Sequence, residues 1–98
     1  MDTSVRKYQI DPEQLDELNR RIEESFAPRV EQMPGFVDYE VIDCGGGRLY
    51  TVTTCNDREA AERSVELAAE FVEHELEGID IERVEAAIGE VTVSRGVS

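Results

Sequence analysis

Tryptophan is absent from this chain, lysine occurs once, at Lys7, and histidine once, at His74. Ten basic side chains stand against 23 acidic ones, a formal net charge of -13. That balance excludes nucleic acid and anionic membrane surfaces as expected partners, because both would be repelled. Cysteine is scarce too. Cys44 and Cys55 close opposite ends of a predicted hairpin, roughly 20 Å apart at about 3.3 Å per residue, and a disulfide needs Cα atoms within about 7 Å. Two free thiols in a reducing compartment are therefore expected. With no second histidine or cysteine at ligand spacing, no metal site is expected. No apolar run approaches the roughly 20 residues that cross a bilayer, and the start MDTSVRKYQI lacks the layout of a signal peptide. A cytoplasmic protein is the expectation.

What is present reads as a globular chain: 98 residues, 40% hydrophobic and 34% charged, a composition that folds. One domain spanning 1–98 is expected, near the lower size limit for a self-sufficient core, where a partner subunit helps. The acids are dispersed along helix faces, as in Glu59, Glu62, Glu66, Glu70, Glu73 and Glu77. Dispersed acid with almost no lysine predicts a halophilic protein; the alternative is an acidic docking face for a basic partner.

Val5 to Ile10 alternates as a strand, with Arg6, Tyr8 and Ile10 on one side and Val5, Lys7 and Gln9 on the other. Asp11, Pro12 and Gln14 form a helix start with a capping box. Leu15, Leu18, Ile22, Phe26, Val30 and Met33 continue at helical spacing. Pro28 predicts a break near Glu24 or Ser25. The strand Phe36 to Cys44 places Val37, Tyr39 and Val41 on one face and Phe36, Ile42 and Cys44 on the other. Three glycines turn the chain into a second strand, Leu49 to Cys55. They lead into a strand rather than a helix N-terminus, so they read as a hairpin tip and not a phosphate cradle. Asn56 and Glu59 predict a capped helix over 57–77, followed by a loop and a last strand over 85–94 with Gly89 as a bulge. The order β-α-β-β-α-β predicts a ferredoxin-like α+β fold, a four-stranded antiparallel sheet with two helices on one face. Apolar residues on both strand faces then predict a homodimer closed through the open sheet face.

With PGFVDYEVI, a short turn, LYTVTTCNDREAAERS, a helix ending FVEHELEG and a final GEVTVS, residues 5 to 95 resemble the antibiotic biosynthesis monooxygenase-like family of dimeric α/β barrels. The resemblance implies paired ferredoxin-like sheets and a pocket between sheet and helices in each subunit. It also implies cofactor-independent oxidation of an apolar or aromatic substrate or, in one branch, haem degradation. That branch uses an asparagine, a tryptophan and a helix-borne histidine. Only His74 has a counterpart here, and no cofactor is expected.

His74 lies on the boundary between the apolar and acidic arcs of its helix, where it serves either as a pocket acid/base or as a charge-stabilised boundary residue. Asn19 interrupts the apolar arc of the first helix. Antiparallel helices would bring Asn19 and His74 to one pocket mouth, making them the candidate catalytic pair. Tyr8, Tyr39 and Tyr50 are the candidate substrate-binding residues, with packing as the alternative for each. No Ser/His/Asp set or nucleotide fingerprint is present. Two functions are expected to compete: a small-molecule-binding dimer with oxygen-dependent chemistry, and a non-catalytic interaction or regulatory module. A closed apolar pocket favours the first and a filled core the second.

Overall fold

The computed structural model describes residues 1–96. Four strands, β1 (Asp2–Ile10), β2 (Phe36–Asp43), β3 (Arg48–Cys55) and β4 (Ile81–Glu90), form one sheet in the order β2-β3-β1-β4. Every neighbouring pair is antiparallel. Between β1 and β2 run a 3-10 turn (Pro12–Gln14), helix α1 (Leu15–Arg21), a π-helical turn (Ile22–Phe26) and helix α2 (Ala27–Glu31); helix α3 (Arg58–Glu75) joins β3 to β4. This is the expected ferredoxin-like arrangement. No helix among the described residues is long and apolar enough to cross a membrane.

The sheet face that the helices cover is that of Ser4, Arg6, Tyr8 and Ile10 on β1 and of Leu49, Thr51, Thr53 and Cys55 on β3, all buried. Leu18, Ile22, Phe26 and Val30 meet it from one side and Ala61, Ala68, Phe71 and Leu76 from the other, in one cluster. Small residues at Ala60, Ala61, Ser64 and Ala68 keep the buried side of α3 shallow.

The break at Pro28 takes the form of the π turn, in which the Ala27 N–H bonds to the Ile22 carbonyl. Its effect follows from spacing. Leu18, Ile22, Phe26 and Val30 recur every four residues, and at 3.6 residues per turn such a row drifts about 40° per step around an α-helix. The wider π turn takes out drift, and all four stay buried.

Several local expectations are corrected. Asp57, not Asn56, caps α3, its Oδ1 accepting the Ala60 N–H at 2.9 Å. Gln14 closes no capping box: its side chain donates to the Gly78 carbonyl at 2.7 Å and accepts from the Asp80 N–H at 2.7 Å, clamping the loop before β4. That clamp lets β4 begin at Ile81, earlier than expected. The irregularity in its pairing falls opposite Lys7 and Tyr8, around Val84, and not at Gly89. The β2–β3 register shifts between Phe36 and Asp38, bringing Phe36 onto the helix side with Tyr39 and Val41. Cys44 is exposed and Cys55 buried, both free as expected. Of the tail at Arg95 to Ser98, expected to fray or cross to a partner, Val97 and Ser98 lie outside the described residues.

The hairpin glycines are not equivalent. Gly46 has φ +65° and open space around it, whereas at Gly47 (φ +83°) a Cβ would stand 2.2 Å from the Ile10 carbonyl oxygen. Gly46→Ala is expected to cost about 1 kcal/mol, the low end for a non-glycine residue in the left-handed region. Gly47→Ala should cost at least about 3 kcal/mol, because Ile10 must move as well. Urea midpoints of the two variants check this, and equal midpoints would refute it.

Candidate functional site

Among the described residues, two of the spaces between sheet and helices share a wall. The outer one is an open cleft of about 560 Å³ where the first helical segment faces β2, with Asn19, Ile22, Phe36, Tyr39 and Val41 on its walls and Glu23, Glu31, Asp38 and Asp43 also lining it. The inner one is a cavity of about 20 Å³ under the helices, bounded by Arg6, Tyr8, Phe26, Tyr39, Thr51 and Phe71 among others. Ile22 and Tyr39 line both spaces and so form the partition between them. Phe26 braces it, with its ring centroid 5.4 Å from Tyr39 and 5.2 Å from Phe71.

Arg6 is the residue that sequence reasoning missed. Its position on the side of Tyr8 and Ile10 was legible, and a cation in phase with core residues was the available signal. Its side chain is 0% exposed. Nε donates to Thr51 Oγ1 at 2.9 Å, Nη1 to Ser4 Oγ at 2.7 Å and Nη2 to Thr53 Oγ1 at 2.9 Å. Ser64 donates to the Ala61 carbonyl at 2.6 Å and lies 3.0 Å from Ser4. A hydroxyl has one proton, so Ser4 donates to Ser64, and the chain of donors runs outward from the guanidinium. Burial pushes the Arg6 pKa down, with the Tyr8 and Tyr39 phenols opposing. Guanidinium is so strong a base that it stays charged. No carboxylate among the described residues lies within ion-pair distance of it, although a buried charge ordinarily has such a partner.

The five sequence candidates separate. Tyr8 and Tyr39 both line the inner cavity. Burial pushes the Tyr39 hydroxyl up to about 12, against the opposing effect of Arg6, so it remains a protonated donor. Asn19 lines the outer cleft, half-buried. His74 does not join it: its side chain is 68% exposed, with Nε2 3.8 Å from Glu73. The shared pocket mouth expected for Asn19 and His74 is not formed, because His74 stands on the solvent arc of α3. Tyr50 pairs with Lys7 on the face turned away from the helices, and Lys7 Nζ lies 5.9 Å from its ring centroid. Glu75 meets Arg29 at 2.5 Å.

The ferredoxin-like fold is one that this chain shares with solved antibiotic biosynthesis monooxygenase-like proteins. Among solved structures, the chain is similar to the haem-degrader MhuD from Mycobacterium tuberculosis, at 20% identity and TM-score 0.69 over 98% of this chain and 100% of that one. It is similar to an antibiotic biosynthesis monooxygenase from Chloroflexus aurantiacus at 16% identity and TM-score 0.69, over 99% and 98% of the two chains. It is also similar to SnoaB, a cofactor-independent oxygenase from Streptomyces nogalater, at 14% identity and TM-score 0.66, over 95% and 94%. No family model and no curated protein matches the sequence. The axial-ligand role does not fit His74, which faces solvent and lines neither the cleft nor the inner cavity. Among the described residues no three His, Cys, Asp or Glu side chains are placed to hold a metal ion.

Proposed function

We propose that this chain is a small-molecule-binding protein of the monooxygenase-like α/β barrel type, working as a homodimer and acting on an apolar or aromatic substrate by cofactor-independent oxygenation. The observation that carries the binding part is the tyrosine partition: an aromatic side chain standing between a roomy cleft and a small, mostly apolar cavity that Arg6 also lines. Asn19 and Tyr39 orient the ligand in the cleft, and Tyr8 meets it inside. His74 and Tyr50 stay outside this site. The small inner cavity favours a second reading, a non-catalytic module with a filled core.

A thermal-shift and titration series with small aromatic compounds separates the two. Asn19→Ala and Tyr39→Ala are expected to weaken binding about tenfold each, about 1.4 kcal/mol, while His74→Ala leaves it unchanged. Substrate-dependent oxygen uptake would support the oxygenase, and no binding by any compound would favour the module.

The dimer reading rests on the open sheet face, where Val37 and Ile42 on β2 are each 44% exposed and Val5 on β1 is 37% exposed, with Val52 of β3 between the two strands. Exposed apolar residues at this density want cover, and a second copy of the same face supplies it. Ile42→Arg should shift sedimentation from dimer to monomer at micromolar concentration. A wild-type chain that sediments as a monomer would remove the barrel.

A further inference from the structure

The geometry points to a buried oxyanion-binding subsite, in which Arg6 receives the carboxylate or the ionised phenol or enol oxygen of a small ligand. The inference rests on the pocket reading above and adds the charge of the ligand to it. A guanidinium has five N–H donors, and Arg6 gives three of them to the hydroxyls of Ser4, Thr51 and Thr53. Among the described residues the remaining N–H on each Nη has no acceptor of good geometry, although the Tyr8 hydroxyl stands close enough to act on the guanidinium. Two N–H groups on neighbouring nitrogens can hold one oxyanion. Arg6 lines the inner cavity, whose volume of about 20 Å³ takes one water-sized group, so an oxyanion would enter by its oxygen while the ligand body stays outside. Tyr8 and Tyr39 line the same cavity, and the Tyr39 hydroxyl, which burial keeps protonated, is available as a donor.

The charge balance of the chain sharpens the point. Twenty-three acidic side chains are available to neutralise one buried arginine, yet its surroundings are hydroxyls and phenols. A carboxylate there would have neutralised the buried charge. Leaving the position to neutral groups keeps a cation in reserve for an anion that comes and goes. Glu23, Glu31, Asp38 and Asp43 line the outer cleft, so the ligand body there is expected to be neutral, with its single charge at the inner end.

The test compares matched pairs at constant ionic strength: benzoate against benzamide, and p-nitrophenol against p-nitroanisole. Wild-type protein is expected to bind at least one acid about tenfold more tightly than its neutral partner, and the responding pair tells a carboxylate from a phenolate. If p-nitrophenol responds, its bound form should ionise at least about one pH unit lower than free dye, as beside an opposite charge, read from its visible absorbance. Arg6→Met should abolish the preference while leaving neutral partners bound, and should melt no lower than wild type, since it removes an uncompensated buried charge. Arg6→Lys should keep part of the preference, and it serves if Arg6→Met does not fold. Equal binding of acids and neutral partners, or a preference that survives Arg6→Met, overturns the subsite and leaves the pocket standing. If no member of either pair binds, both fall.

Discussion

Phe26→Ala is expected to lower the urea midpoint more than any other single aromatic truncation, at a cost of about 3 to 5 kcal/mol. Phe26 is 2% exposed and touches both halves of the core, Tyr39 on β2 and Phe71 on α3. Removing the ring therefore leaves a cavity whose walls are held by separate elements and collapse poorly. For a domain of this size the loss corresponds to a fall in melting temperature of at least about 12 °C, a large part of a total stability of about 5 to 15 kcal/mol. Phe26→Leu should recover most of it. The partition between cleft and cavity should loosen in parallel, so the alanine variant is expected to take up larger aromatic probes where it remains folded. A Phe26→Ala protein as stable as wild type would show that the α1–α2 segment does not anchor the core.

The second large effect concerns salt. Two copies at -13 each bring 26 formal negative charges together, and their repulsion opposes folding and association when ions are scarce. Glu59, Glu62, Glu66, Glu70 and Glu73 on α3 and Glu77 just beyond its end are all exposed, and local pairing relieves only some of the repulsion, as where Glu17 meets Arg20 and Arg21. The Debye length falls from about 30 Å at 0.01 M to about 3 Å at 1 M. Between 0.05 M and 3 M KCl the melting temperature should rise by about 10 °C or more, on the order of 2 kcal/mol. The dimer should come apart at the low end. Gains above about 1 M would reflect stronger apolar burial or bound ions rather than screening. Melts that stay flat across this range would sink the halophilic reading and return the acidic surface to a docking role.

Much of the fold could be read from local chemistry. Pro12 and Pro34 mark helix limits, the 45–47 glycine run marks the hairpin, and the row from Leu18 to Val30 marks the first buried helical face. What escaped depends on contacts distant in sequence. The phase of Phe36 is set by a shift in pairing with β3, and alternation within one strand cannot reveal it. β4 starts at Ile81 because Gln14, far earlier in the chain, holds the preceding loop. The candidate site divided in the same way. Tyr8 and Tyr39 are conspicuous in the sequence as aromatic residues on strands, and both line the inner cavity. Arg6 was passed over because its meaning lies in what surrounds it, three hydroxyls contributed by β1 and β3 and no acid. His74 looked significant for its rarity, but its angular position on α3 turns it to solvent.

The π turn at Ile22–Phe26 also bears on how this fold could change. A ring closed from residue i to i+5 holds one residue more than an α-helical ring, so this segment has the form of a helix carrying a single insertion. Deleting one exposed residue from it, such as Glu24, would leave an ordinary α-helix in which Leu18 and Val30 stand about eleven residues apart, three turns plus about 20°, and so still share a face. Leu18 would stay on the sheet, and only the turn beside Ile22 would be redrawn. A length polymorphism of one residue at this point would thus reshape one stretch of the cleft wall while the helices on either side, the strands and the hairpin stay as they are.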